Sequence, residues 1–323
     1  MAEDPIDAEP ALPFSDYMER CLYEPDQGFY TSGRGVAGGR KGDFITSPEV
    51  GPLFGAVLAR AIDRWWHDAG QPENFPVVDL GTGPGGLLRA LAFADPPCAA
   101  AWTLTGVDRT PDTPALDGSI DLSGAVVIAN ELLDNVPFDI GMRHGGVDHR
   151  LMVSGEPPMH TTSWQPLEAS LPMELPEDLA FPVLAGASAL IEQLMASGPR
   201  RLVVFDYGNA TTDALAERAG WMRTYQQHQR GEDPFVDPGE WDITTDIAVD
   251  QLPAPDLSST QAVFLETHGI SRLVEDGRAY WEAHAAAPDV AAMRMRSRIR
   301  EAEALLDPSG LGGFLCLQWL SET

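Results

Sequence analysis

Apolar residues recur along the chain in two rhythms. Between Pro13 and Tyr23, the residues Phe14, Tyr17, Met18, Cys21 and Leu22 fall on one side of a helical wheel, which predicts a short amphipathic helix. The glycine-rich stretch from Gly28 to Gly42 breaks the pattern and reads as a loop. From Ser47 the helical rhythm returns. Ser47 suits an N-cap, and Pro48 suits the first helical position, where its missing N–H costs nothing. Val50, Leu53, Phe54, Val57, Leu58, Ala61, Ile62 and Trp65 then follow at helical spacing, so one core-packed helix is expected.

Short apolar runs come next. Val77–Leu80, Trp102–Val107, Ala125–Ala129 and Arg201–Phe205 read as strands, with helices over Leu87–Ala92 and Leu184–Met195. Trp221–Gln227 is a candidate sixth strand, and Gly313–Leu320 closes the chain as an apolar strand. Residues 230–309 are mixed and mostly helical in pattern. Ser154–Pro182 holds many prolines and little periodicity, and reads as a long surface connection. Strands alternating with helices predict an α/β domain with a largely parallel, seven-stranded sheet whose last pair is antiparallel.

Composition narrows the picture. The chain has 323 residues, 21 basic against 49 acidic, for a net charge of −28. That field repels phosphate backbones and excludes nucleic acid as the expected partner, while favouring a basic protein segment or a cationic small molecule. Lys41 is the single lysine. Cys21, Cys98 and Cys316 are scattered and odd in number, so neither a disulfide framework nor a metal cluster is expected, which suits a reducing cytoplasm. The acidic start MAEDPIDAEP is not a signal peptide, and no apolar run approaches the roughly 20 residues needed to span a bilayer.

The chemistry gathers where strands end, which is where open α/β sheets bind ligands. The first strand runs into Asp79-Leu80-Gly81-Thr82-Gly83-Pro84-Gly85-Gly86. Gly81, Gly83 and Gly85 give G-x-G-x-G rather than the dinucleotide G-x-G-x-x-G, although Gly86 completes a loose version of the latter. An acid ahead of such a turn favours a ligand carrying an ammonium and a carboxylate, such as the methionine end of S-adenosylmethionine (SAM). Asp108 ends the next strand, 23 residues after Gly85, where an acid can accept hydrogen bonds from ribose hydroxyls. Asn130-Glu131 and Asp206 end two further strands. Methyl transfer to a guanidinium, whose pKa lies above 12, would need carboxylates to hold it and localise its charge. Glu131, Glu49, Asp43 and Asp134 are the candidates, Glu49 doubling as a helix-dipole acid. His144 and His149 flank Gly145-Gly146 in an expected surface loop, and no hydrolase triad order is present.

Several runs resemble the MidA-type methyltransferases, a family that includes a mitochondrial assembly factor for respiratory complex I. They are Gly28-Phe29-Tyr30, Gly42-Asp43-Phe44-Ile45-Thr46-Ser47-Pro48-Glu49-Val50, Leu53-Phe54-Gly55, the Asp79 turn, Ala129-Asn130-Glu131-Leu132-Leu133-Asp134 with Val136-Pro137, and Asp206-Tyr207-Gly208. Tyr225 with His228, Pro238-Gly239, Asp242-Ile243-Thr244 and Gly313-Phe314 continue the match, which extends from about Phe14 to Leu320. Against the family pattern, Thr82 replaces a proline, Gly86 stands at the end of the turn, and only about 20 residues separate Asp108 from Asn130. The resemblance implies a Rossmann-like SAM-binding sheet and methylation of an arginine on a partner protein. It implies SAM contacts from Gly81, Gly83 and Gly85, with Asp43 and its neighbours through Glu49 lining the site and Asn130 and Glu131 opposite. A small-molecule methyltransferase and a non-catalytic assembly factor that kept the fold are the alternatives. The expected organisation is an N-terminal helical extension and lid over 1–75 and a SAM-binding core over 76–231. An acceptor-side insertion over 232–309 and a last core strand over 310–323 complete it.

Overall fold

The computed structural model describes residues 10–32, 46–110, 113, 120–155, 160–168, 171, 177–226, 229–231 and 233–321. The chain is a mixed α/β fold that divides into two compact units, each stitched from three segments. One comprises Met1–Val36, Leu133–Glu192 and Gly208–Ala254; the other comprises Ala37–Leu132, Gln193–Tyr207 and Pro255–Thr323.

The second unit is built on a six-stranded sheet. Its strand order is Leu257–Thr260, Leu315–Leu320, Arg201–Asp206, Val126–Asn130, Phe75–Leu80, Trp102–Val107. The last four run parallel, while Leu315–Leu320 lies antiparallel to both of its neighbours. The expected antiparallel final pair is therefore present, and among the described residues the sheet has six strands where seven were expected. The Met222–Gln226 strand forms where expected yet belongs to a different sheet, and Leu257–Thr260 supplies an edge strand that the pattern did not announce.

Strand pleating puts Phe75, Val77 and Asp79 on one face, in register with Val126, Ile128 and Asn130 and with Val203 and Phe205. The apolar members of that face form one core with Leu53, Phe54, Val57, Leu58, Ile62, Trp65, Leu87, Leu91, Phe264 and Leu305. Phe205 sits edge-on to both Phe54 and Phe264, with ring centroids 5.3 and 5.1 Å apart. The polar ends of the strands thus project from a rigid, fully buried layer.

The predicted single helix after Thr46 is two. Ser47–Val50 forms one turn, Gly51 is extended, and Pro52–Asp68 follows. Pro52 disfavours the helical conformation at the residue before it and has no N–H to continue the ladder. The cap also moves: Thr46 is the N-cap residue, Ser47 is the first helical residue, and Glu49 accepts the Thr46 N–H at 3.2 Å. Buried partners anchor this junction. Ser47 Oγ donates to Gln261 Oε1 at 2.9 Å, and Glu301 Oε2 accepts the Leu53 N–H at 2.9 Å, capping the longer helix.

The first unit holds the predicted helix Phe14–Tyr23, with Phe14, Tyr17, Met18, Cys21 and Leu22 buried as expected. Its largest sheet pairs Val147–Ser154 with Asp139–His144, Thr161–Pro166 and Leu12–Pro13, and Asp139–His144 with Ala180–Val183. The expected surface connection over Ser154–Pro182 therefore contains two strands among its described residues. His144 and His149 flank a two-residue hairpin turn whose glycines both have positive φ, 58° and 76°. Met222–Gln226 pairs with Asp242–Thr245 and Gln229–Gly231, so the segment before Ala254 is strand-rich and the helices of the insertion lie in 261–306.

Candidate active site

The turn after Phe75–Leu80 takes its shape from left-handed glycines. Gly81, Gly83 and Gly85 have φ of 75°, 47° and 74°, a region that side chains with a Cβ rarely adopt. A Cβ on Gly81 would also lie 2.9 Å from Leu132 Cδ1. The loop is tied to the neighbouring strand by Gly81 and Thr82 N–H bonds to Val107 O, at 2.8 and 3.2 Å. Gly85 then serves as N-cap of the helix Gly86–Ala94, so the free amide groups of a helix start lie just beyond the end of the Phe75–Leu80 strand.

Two acids stand beside the loop. Asp108 Oδ2 accepts the Gly83 N–H at 2.7 Å, and Oδ1 accepts its neighbour Arg109 N–H at 2.7 Å. Asp79 is 3% exposed and takes a hydrogen bond from Thr82 Oγ1 at 2.7 Å. Burial pushes its carboxyl up from 3.8 to about 6; the Thr82 hydroxyl opposes that rise and the Asp108 charge adds to it. Thr82, which looked like a departure from the family turn, thus holds Asp79. Its spacing three residues after an aspartate is a local signal that could have marked it.

The adjacent strand ends at Asn130, whose Nδ2 donates to Glu131 Oε1 at 3.1 Å while its Oδ1 is buried and accepts no hydrogen bond. Glu131 has φ 52°, an uncommon value for a residue with a side chain, and its N–H donates to Phe205 O at 2.8 Å. Asp206 ends the next strand wholly buried and accepts the Tyr207 N–H at 2.9 Å. Glu49 is half-buried, and burial raises its carboxyl, against the Thr46 bonds that lower it. Its short helix reaches the turn: an ideal Cβ on Gly86 would be 3.8 Å from Pro48 Cβ.

Asp79, Gly81, Gly83, Gly85, Asp108, Asn130, Glu131 and Glu49 thus all belong to the second unit. Asp43 lies outside the described residues. Asp134 belongs to the first unit, where it is buried beside Asn135. There Asn135 Nδ2 and Tyr30 OH both donate to Asp242 Oδ1, at 2.8 and 2.9 Å.

A family model described as "Putative S-adenosyl-L-methionine-dependent methyltransferase" matches residues 101–256. The mitochondrial protein arginine methyltransferase NDUFAF7 homolog of Drosophila melanogaster is 25% identical over 292 residues, 73% of this chain and 64% of that protein. The mitochondrial protein arginine methyltransferase NDUFAF7 of Xenopus laevis is 25% identical over 317 residues, 79% of this chain and 70% of that one. In sequence the chain is similar to the MidA-type methyltransferases. It spans just under two thirds of the length of the fruit-fly protein. A crystal structure from Burkholderia thailandensis, with S-adenosyl-homocysteine bound, shares the fold of this chain with a TM-score of 0.79. That likeness carries 23% identity and covers 96% of this chain and 88% of the other.

Proposed function

We propose that the chain is a SAM-dependent methyltransferase whose acceptor is an arginine-bearing protein segment. The observation that carries this is the turn from Asp79 to Gly85. Three left-handed glycines leave backbone open to a ligand, and Asp108 orients the Gly83 amide. The buried, unsatisfied Asn130 Oδ1 ends the adjacent strand on the same face as Asp79. A buried acceptor without a donor costs free energy until a ligand supplies one, so the residues present fit the cofactor. The sheet and its ligand-binding end take the Rossmann-like form that the resemblance implies.

SAM supplies a methyl group made electrophilic by a sulfonium. Within the chain, Asp79 offers a negative charge to the ligand's ammonium, and Gly81, Gly83 and Gly85 let its backbone approach. Asp108 keeps lone pairs beyond its two amide bonds for ribose hydroxyls. Glu131, Glu49 and Asp43 take the acceptor: carboxylates hold a guanidinium by paired hydrogen bonds and receive the proton it must release. A strongly acidic chain attracts a basic target before contact. The Ser47–Val50 turn, which carries Glu49, walls this end of the sheet beside Gly86, and water exclusion there protects the reaction.

Isothermal titration with SAM, and separately with NADH, tests the reading. Micromolar SAM binding without NADH binding is expected, lost in Gly83→Asp with the fold intact. Equal SAM affinity in that variant would defeat the placement of the cofactor, and NADH binding would defeat the class. Transfer of labelled methyl to an arginine-containing protein tests the acceptor; label on a small molecule alone would move the acceptor class.

A further inference from the structure

At the opposite end of the same sheet lies a group of cations that methyl transfer does not use. Arg201 begins the strand that Asp206 ends, so the two ends stand roughly 16 Å apart at about 3.3 Å per residue. The Arg201 guanidinium lies over the Trp65 ring, 4.4 Å from its centroid. His268 meets Trp65 edge-on at 5.8 Å and packs on Phe264 at 4.4 Å. Arg60 reaches the same place: an ideal Cβ on Gly269 would lie 3.1 Å from Arg60 Nη2. Arg64 follows Arg60 by one turn of the Pro52–Asp68 helix, on the same side.

Two features set the group apart. Arg60 and Arg64 are exposed, and neither has an ion pair or side-chain hydrogen bond among the described residues, although acids outnumber bases 49 to 21. His268 is 8% exposed, and its Nδ1 is buried without a hydrogen-bond partner. Burial, then the charges of Arg64, Arg201 and Arg60, hold its pKa down at about 4. The acids nearby act on Arg201: Asp68 and Asp256 are both exposed, and Asp256 Oδ2 already accepts the Leu320 N–H.

We propose that Arg60, Arg64, Arg201 and His268 form an anion site for a compact, doubly charged oxyanion, a phosphoryl group. Three guanidiniums supply planar donors suited to such oxygens. The imidazole offers a nitrogen that can share the proton of a half-protonated phosphate. A univalent anion would offset only part of the charge.

The test is a titration at constant ionic strength with inorganic phosphate, a phosphate monoester (glycerol phosphate), acetate or chloride. The readout is the His268 ring resonance, assigned by its loss in His268→Gln. Phosphate is expected to raise the His268 pKa from about 4 towards its ordinary 6.5, because a bound dianion favours imidazolium. Arg60→Gln/Arg64→Gln, both at exposed positions, should weaken phosphate at least tenfold and leave SAM affinity unchanged. Tighter monoester than inorganic phosphate would identify an organic phosphate as the ligand, and equal affinity the free ion. If phosphate did no more than chloride, or the double variant bound as the parent does, the proposal would be wrong.

Discussion

Asp79 in the unit built on the six-stranded sheet and Asp148 in the other unit are both almost wholly buried, at 3% and 4% exposure, yet they are held in opposite ways. Arg143 grips Asp148 from two sides, with Nε at 2.8 Å and Nη2 at 3.4 Å, and Leu171 N–H adds a third bond at 2.9 Å. Burial pushes that carboxyl up, but the Arg143 bonds and charge and the Leu171 amide bring it below 3.8 overall. Asp79 has one hydroxyl donor and a second carboxylate nearby, and it stands at about 6. The first arrangement is complete as folded. The second leaves a buried acid whose missing counter-charge is the one a ligand can bring.

The sharpest way to break the comparison is to remove the grip on Asp148. Arg143→Ala should cost about 3–5 kcal/mol, since it strands a buried carboxylate, and urea unfolding reads this directly. SAM affinity of the folded protein should not change; a fall in affinity would mean the two aspartates are not doing separate jobs. Asp79→Asn is the mirror experiment. It should weaken SAM by about 10- to 100-fold, the 1.4 to 2.7 kcal/mol of one charge-assisted contact, with stability unchanged or higher. A clear loss of stability instead would make Asp79 structural.

pH separates the pair further. Raising the Asp79 pKa from 3.8 to about 6 corresponds to about 3 kcal/mol favouring its protonated form. Its contribution to stability is therefore full below 3.8 and lost as pH rises through about 6. Asp148, being lowered, contributes above 3.8 and loses that contribution as pH falls through its depressed value. SAM affinity should drop as pH falls through about 6, and calorimetry across pH 5–8 would show it; a flat profile would argue that Asp79 stays ionised throughout. Thr82→Val gives the smallest effect. Without its hydroxyl donor, Asp79 should titrate higher still, moving the midpoint of that affinity profile upward with little change in stability.

Much of this was readable in the chain. Val126–Asn130 and Arg201–Asp206 announced themselves because both faces are largely buried, so each is an apolar run ending in a polar residue, whereas Trp102–Val107 is only partly buried and carries two threonines. The turn at Asp79 followed from its glycines, of which Gly81, Gly83 and Gly85 have positive φ. The first unit was harder. Thr161–Pro166 is exposed along its whole length and contains a proline, so neither hydrophobic alternation nor composition marks it; distant pairing with Val147–Ser154 makes it a strand. The break at Gly51 was hidden because apolar spacing runs through it unchanged, and only the Pro52 backbone rule decides it. Thr82's role needed three dimensions, as did the Arg60–His268 group, whose members are separated by as many as 208 positions in sequence.

The bond from Glu301 to the Leu53 amide has a temporal side. It joins residues 248 positions apart. At a synthesis rate of about 5–20 residues per second, roughly 12 to 50 s pass on the ribosome before the cap for that helix exists. Leu315–Leu320 arrives later still, and it must enter between two strands already made. Until then the core under the face that carries Asp79 and Asn130 lacks Cys316. The nascent chain thus meets the cell as an open half-sheet, and its most exacting folding step is the entry of Leu315–Leu320 between two earlier strands.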